Sequence, residues 1–176
     1  MERIAVVGTT GSGKTTLARQ ISQCLNISHV ELDALHWNPN WSESSADVFC
    51  SRVTQTLSGD RWVVDGNYSE VRHLIWSRAD TLIWLDLPFT ITFGRLLRRT
   101  IQRVVTQEEL WSGNRETLTK ALSQDSILLW LFRTFHKRRR EYPLLLKQPE
   151  YAHLKIIHLR SPQAAHIWLQ GLKVCS

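Results

Sequence analysis

Apolar and polar positions change their spacing repeatedly along this chain, and each change marks an element. Ile4, Ala5, Val6 and Val7 form a short unbroken apolar run ended by Gly8, the pattern of a strand buried on both faces of a parallel sheet. From residue 14 to 25 the spacing becomes helical, with Leu17, Ala18, Ile21 and Leu25 sharing one face. A second strand is expected over about 29–32, with a loop over 33–39. Ser44, Ser45, Ala46 and Asp47 read as a helix start, Val48, Phe49, Val53 and Leu57 as its apolar face, and Ser58-Gly59 as its stop. Trp62-Val63-Val64, Thr81-Leu82-Ile83-Trp84-Leu85 and residues 155–159 are further strand-like runs, and Ser161-Pro162 opens a last short helix. Strands alternating with helices predict a doubly wound α/β fold around one parallel sheet. Between the fourth and fifth strands, residues 89–151 are helical in pattern and dense in arginine.

The first strand-to-helix junction carries the clearest chemistry. Gly8-Thr9-Thr10-Gly11-Ser12-Gly13-Lys14-Thr15 satisfies the full P-loop pattern, between a buried strand and a helix as that pattern requires. Its glycines let successive N–H groups turn inward, the helix N-terminus adds positive potential, and Lys14 can neutralise the β- and γ-phosphates. Gly8, Gly11, Ser12, Gly13, Lys14, Thr15 and Thr16 are therefore the expected nucleotide-binding residues, with Thr15 offering its hydroxyl to Mg²⁺. A guanine-reading Asn-Lys-x-Asp is missing from the sequence, which removes the GTPase class. Its 176 residues leave little room for the sensor module of an AAA-type motor.

Composition narrows the picture modestly. The length fits one domain over 1–176, with 89–151 as a helical, arginine-rich lid insertion. A formal charge of +6 favours an anionic partner without choosing between nucleotide, nucleic acid and acidic membrane. Cys24, Cys50 and Cys175, odd in number and widely spaced, suggest neither a disulfide framework nor a metal clip, and point to a reducing, cytoplasmic setting. The strand-like start at Met1-Glu2-Arg3 leaves no expected signal peptide, and the longest apolar run, 127–132, falls well short of a membrane span.

Gly8 to Thr15, Leu32-Asp33-Ala34-Leu35-His36-Trp37, Trp62-Val63-Val64-Asp65-Gly66-Asn67-Tyr68, Trp84-Leu85-Asp86-Leu87-Pro88, Leu110-Trp111-Ser112-Gly113-Asn114-Arg115-Glu116 and Leu159-Arg160-Ser161 together resemble the adenylate-kinase-related P-loop proteins known as topology modulation (FlaR-like) proteins. The resemblance spans almost the whole chain. It implies a three-layer P-loop kinase fold with strand order 2-3-1-4-5, a helical lid, and ATP and Mg²⁺ as ligands. It does not name an acceptor.

Asp33, at the carboxyl edge of the second strand, resembles the acceptor-side aspartate of gluconate and uridine kinases, which contacts the attacking hydroxyl; a turn-forming role is the alternative. Asp65 follows an apolar run as a Walker B aspartate does and is a candidate Mg²⁺ ligand, with a turn beside Gly66 as the alternative. Asn67 and Tyr68 are expected at the acceptor pocket, where Trp37 and Tyr68 could stack on a planar substrate. Arg95, Arg99 and Arg103 recur at four-residue spacing and share a face, with Arg98 beside them. They are expected as lid arginines that close over phosphate, Arg95 and Arg99 catalytically, or else as a solvated basic face. Arg115 and Glu116 would complete the lid, and Arg160 would cover the adenine. Lys137-Arg138-Arg139-Arg140 reads as a solvated helix end, Asp86 as a turn residue, and His36 as the one histidine near a candidate site.

The favoured function is transfer of the ATP γ-phosphate to a small acceptor, nucleotide or nucleoside first. An ATP-binding regulator or nucleic-acid-associated protein with incidental hydrolysis, and a degenerate kinase used as a binding module, stay open at this stage.

Overall fold

Alternation within the strands sorts the apolar residues onto two faces of the sheet. Ile4, Val6, Val63, Ile83 and Leu85 pack with Leu17, Ala18, Ile21 and Leu169, while Ala5, Val7, Trp62, Val64, Leu82 and Trp84 pack with Phe49, Val53, Ile75, Trp76 and Tyr142. Period-two side-chain direction in a doubly covered sheet produces this division. In the computed structural model, which describes residues 1–117 and 126–174, the strands are β1 (Arg3–Gly8), β2 (Ser28–Glu31), β3 (Trp62–Asp65), β4 (Thr81–Leu85) and β5 (Lys155–Leu159). They run parallel in the order β2-β3-β1-β4-β5, as the resemblance implies. Helix α1 (Lys14–Leu25) and the last helix, α7 (Pro162–Val174), cover one face. On the other lie α3 (Ala46–Thr56), α4 (Arg72–Trp76) and the end of α6 (Ile127–Leu145).

Three details differ from the sequence reading. Residues 33–36 are not loop: Leu32–His36 forms a short helix, α2, burying Leu32 and His36 one turn apart, with no glycine or proline to interrupt it. Helix α4 follows β3 without a clear signal in the apolar spacing. The stretch after β4 is not helical throughout. Helix α5 (Phe89–Thr106) stops where Gln107 turns left-handed at φ 50°. The chain then doubles back so that Glu109 bridges Arg115 in antiparallel fashion, before Ser126 caps α6 by accepting the Leu129 N–H at 3.3 Å. Part of the expected helical lid, residues 118–125, lies outside the described residues, as does Cys175; Cys24 and Cys50 are free thiols. Among the described residues no helix is long and apolar enough to cross a membrane.

A third apolar cluster ties α5 to α6 through Leu96, Leu131 and Phe135, with Phe89 and Phe93 packed against it. This junction brings the arginines of both helices over the carboxyl edge of the sheet.

Candidate functional site

The phosphate loop is held open by backbone geometry. Gly13 caps α1 at φ 92°, a left-handed conformation that glycine adopts without strain. Gly11 lies so close to α5 that a Cβ there would sit 2.5 Å from the Thr92 carbonyl oxygen. No side chain caps α1 and no acidic residue lies in its first turn, so its N–H groups and positive end are available to an anion. Ser12 is buried, and its Oγ has no hydrogen-bond partner among the described residues. Thr16, in the first turn, is exposed.

Lys14 reaches back to the loop, its Nζ donating to the Thr9 carbonyl at 3.1 Å. Burial lowers its pKa to about 8, and nearby Arg138 pushes the same way, while Asp65 and Asp33 oppose the shift. Asp65 is buried at the end of β3 and accepts from the Thr15 hydroxyl at 2.7 Å. Two hard oxygen donors thus face the loop together, the donor type that Mg²⁺ selects. His29 on β2 holds the other Asp65 oxygen at 2.8 Å. The expectation that His36 alone among the histidines adjoins the site is therefore corrected. The register shows the signal: β2 and β3 are neighbours, His29 pairs with Val63, and Asp65 lies two residues further on the same face.

Asp33 sits in the first turn of α2, half-buried, and accepts from the Tyr68 hydroxyl at 2.6 Å. Burial, with Asp33 beside it, drives the Tyr68 phenol pKa well upward, so it stays a donor. Lys14, Arg99 and Arg138 all feel the Asp33 carboxylate. Arg99 has its pKa lowered by burial and by neighbouring Arg103, and its Nε is buried without a hydrogen-bond partner among the described residues. Arg95 is exposed but lies across the phosphate loop, donating to the Ser12 carbonyl at 3.1 Å. Arg103 differs: Glu116 at 3.1 Å and Glu108 at 3.7 Å neutralise it. Arg98 is exposed.

The basic run on α6 is not simply a solvated helix end. Arg138 turns inward and donates to the Gly8 carbonyl at 3.4 Å, its guanidinium pKa lowered by burial. Arg139 pairs with Asp86 at 2.5 Å, and His158 holds the same carboxylate at 3.1 Å. Lys137 and Arg140 keep to solvent. Successive helical residues point in different directions, and the contact of α6 with α5 decides which one enters the cleft.

Asn67, expected at the acceptor pocket, is held by protein groups and also lines a cavity there. Its carboxamide brackets Gly8, accepting that N–H at 3.2 Å and donating to its carbonyl, while Tyr142 on α6 donates to the Asn67 oxygen at 2.9 Å. Trp37 and Tyr68 are also engaged in packing. Trp37 meets His36 and Trp41 edge-on, and Tyr68 lies against His36 and Phe49. This small cavity of about 20 Å³ is lined by Leu32, Gly66, Asn67, Tyr68, Arg72 and Tyr142, among others.

Two loops close over this end. Asn114 donates to the Asn38 carbonyl at 2.9 Å and accepts the Trp41 N–H at 2.8 Å; Ser112 donates to the Trp37 carbonyl at 2.8 Å. Trp111 donates to Glu31, at the carboxyl end of β2, at 3.2 Å. Arg115 pairs at the exposed surface with Glu109. Arg160 is exposed just before α7, where Ser161 caps the helix by accepting the Ala164 N–H at 3.0 Å.

No family model matches the chain. Among curated proteins it is similar to the shikimate kinase of Synechococcus elongatus, at 27% identity over 66% of this chain and 72% of that one. Among solved structures it is similar to shikimate kinase from Acinetobacter baumannii in complex with shikimate, with a TM-score of 0.60, 15% identity and coverage of 99% and 93%. It is also similar to a gluconokinase from Sinorhizobium meliloti, with a TM-score of 0.52, 17% identity and coverage of 99% and 94%. The fold is that of the P-loop small-molecule kinases.

Proposed function

We propose that the chain, an ATP-dependent phosphotransferase acting on small molecules, delivers the γ-phosphate to a hydroxyl of an acceptor that also carries an anionic group. One observation carries this reading: Arg138 reaches the Gly8 carbonyl from α6 and Arg99 on α5 keeps a buried Nε without a hydrogen-bond partner among the described residues, so two further cations stand near Lys14 and Asp33. That leaves positive charge beyond what Asp33 offsets, on the acceptor side as well as over the phosphate loop.

ATP would lie with its phosphates on the Gly8 to Thr15 backbone, Ser12 donating its free hydroxyl and Lys14 meeting the β/γ oxygens. Thr15 and Asp65 would hold Mg²⁺, which when bound offsets charge on the phosphate oxygens. Tyr68 occupies one oxygen of Asp33, leaving the other to orient the acceptor hydroxyl and receive its proton as the oxygen attacks the γ-phosphorus. The bond to the β-phosphate oxygen breaks and ADP departs. Lys14, Arg95 and Arg99 stabilise the transferring group, residues 107–116 act as the lid, and Arg160 borders the adenine.

Arg138 and nearby Arg72 suit the acceptor's anion. The curated relatives are named for an acid, shikimate, and gluconokinase for another. A nucleoside monophosphate offers the same pairing of hydroxyl and anion and keeps the nucleotide reading within the proposal. Closer kinship with the topology modulation proteins rests on Asp65-Gly66-Asn67-Tyr68 and the 110–116 segment. The nucleic-acid reading loses support because Arg95 and Arg138 donate to phosphate-loop carbonyls.

The test is ATP consumption with Mg²⁺ against hydroxy acids, nucleoside monophosphates and uncharged nucleosides, with Asp33→Asn beside the wild type. Stimulation by an anionic class, lost in the variant, is expected, and the responding class separates acid from nucleotide. An uncharged acceptor turned over better than any anionic one would refute the charge argument.

A further inference from the structure

The Asp65 carboxylate is 5% exposed, and each of its oxygens has a partner: Oδ2 accepts from Thr15 and Oδ1 from His29. An ionised carboxylate only accepts, so Nε2 of His29 carries the proton in this contact. His29 comes from a different strand and meets the Asp65 oxygen that Thr15 does not. Its own side chain is largely enclosed, 13% exposed. The arrangement pins Asp65, fixing the carboxylate plane so that Oδ2 stays turned to Thr15 and the phosphate loop.

We propose that His29 is a positioning residue of the Mg²⁺·ATP site, acting through Asp65; this rests on the reading that Thr15 and Asp65 hold the ion. Partners behind a metal-binding carboxylate fix its orientation, and losing one typically lowers metal affinity by roughly 10- to 100-fold. Without the imidazole, Oδ1 has no donor and the carboxylate is free to rotate away from Thr15. The phosphate loop, which His29 does not touch, keeps its shape.

The experiment compares wild type, His29→Leu and His29→Gln by titrating a fluorescent ATP analogue at a series of Mg²⁺ concentrations and in EDTA, with no turnover required. Glutamine retains an N–H donor that can reach Asp65; leucine fills similar space without one. The expected result is a roughly tenfold or greater rise in the Mg²⁺ needed for half-maximal binding in His29→Leu, an unchanged affinity in EDTA, and recovery of most of the loss in His29→Gln. An unchanged Mg²⁺ requirement in His29→Leu overturns the proposal, as does an equal loss with and without the ion, which marks a structural role. If His29→Leu does not fold, His29→Asn, whose shorter amide falls away from Asp65, takes its place against His29→Gln under the same criteria. A wild type that gains no nucleotide affinity from Mg²⁺ overturns the underlying metal reading and this inference with it.

Discussion

The two ends of the cleft are built by different means. At the phosphate end eight consecutive residues do most of the work with their backbone, and a short turn into α1 supplies both the N–H groups and the potential. At the end proposed for the acceptor the groups are side chains drawn from separate elements: Asp33 from α2, Tyr68 after β3, Arg99 from α5, Arg138 from α6. Backbone recognition tolerates neighbours and survives as a contiguous motif. Side-chain recognition depends on how four elements pack, so it is the end where one member of a family can differ from another. The ends meet at Gly8, which Asn67 and Arg138 both hold.

Substitutions can break this contrast, beginning with the largest effect. Lys14→Ala should lower turnover by about 1,000-fold or more, since it removes a charge that serves both binding and transfer. Turnover within tenfold of wild type would mean that phosphate is handled elsewhere. Asp33→Asn should lower acceptor-dependent transfer by about 100-fold or more while ATP affinity, measured by calorimetry, changes less than about twofold. Equal losses in both would erase the distinction between the two ends.

Arg138→Ala set beside Arg140→Ala sharpens the comparison within one helix turn. A charge-assisted contact of about 1.5–3 kcal/mol predicts a fall of roughly 10- to 100-fold in kcat/KM for Arg138 and none beyond about twofold for exposed Arg140. Parallel behaviour of the pair would return the run to the solvated helix end expected from its sequence. Asn114→Ala removes the carboxamide that joins the two loops, and a KM for acceptor raised about three- to tenfold with a smaller change in kcat is expected. A kcat that falls alone would place Asn114 in the chemistry instead.

The smallest effect is in pH. Lys14 loses its proton near 8 when folded and near 10.5 in its ordinary state. Below 8 both forms hold the proton and the residue adds no slope. Between the two values the unfolded chain holds the extra proton, so the stability of the nucleotide-free protein should rise with pH over that window. Denaturant midpoints of wild type and Lys14→Met at pH 7, 8 and 9.5 check this: the wild type should gain relative to the variant as pH rises. The same deprotonation should weaken ATP binding above about pH 8, because a neutral amine no longer attracts phosphate.

This division also explains what could be read in advance. Gly8 to Thr15, the five strands, and Asp65 at the end of an apolar run were legible because each is local or follows from alternation, while the strand order came only from the family resemblance. Asp33 and Arg99 were legible only as candidates, and the Tyr68 contact that orients Asp33 was not. Arg138 hid among four basic neighbours, since nothing local says which side of α6 will lie against Gly8. The contacts of Asn67 with Gly8 were not legible either. A carboxamide next to a site suggests substrate, yet here it satisfies the backbone of Gly8, which any tight loop must arrange. His29 was within reach of register reasoning, whereas the docking of residues 110–116 on 37–41 depends on two left-handed turns, at Asn40-Trp41 and Ser112-Gly113, that no motif announces.

The seam between those loops has an optical consequence. Of the chain's eight tryptophans, Trp37, Trp41 and Trp111 stand at the junction of the loops, all partly covered, while Trp62, Trp76 and Trp84 lie buried in the core. Parting the loops would wet the first group alone, moving its emission to longer wavelength over a constant background. The protein thus carries its own label, and stopped-flow fluorescence of the unmodified chain tests whether the loops part when a ligand is added.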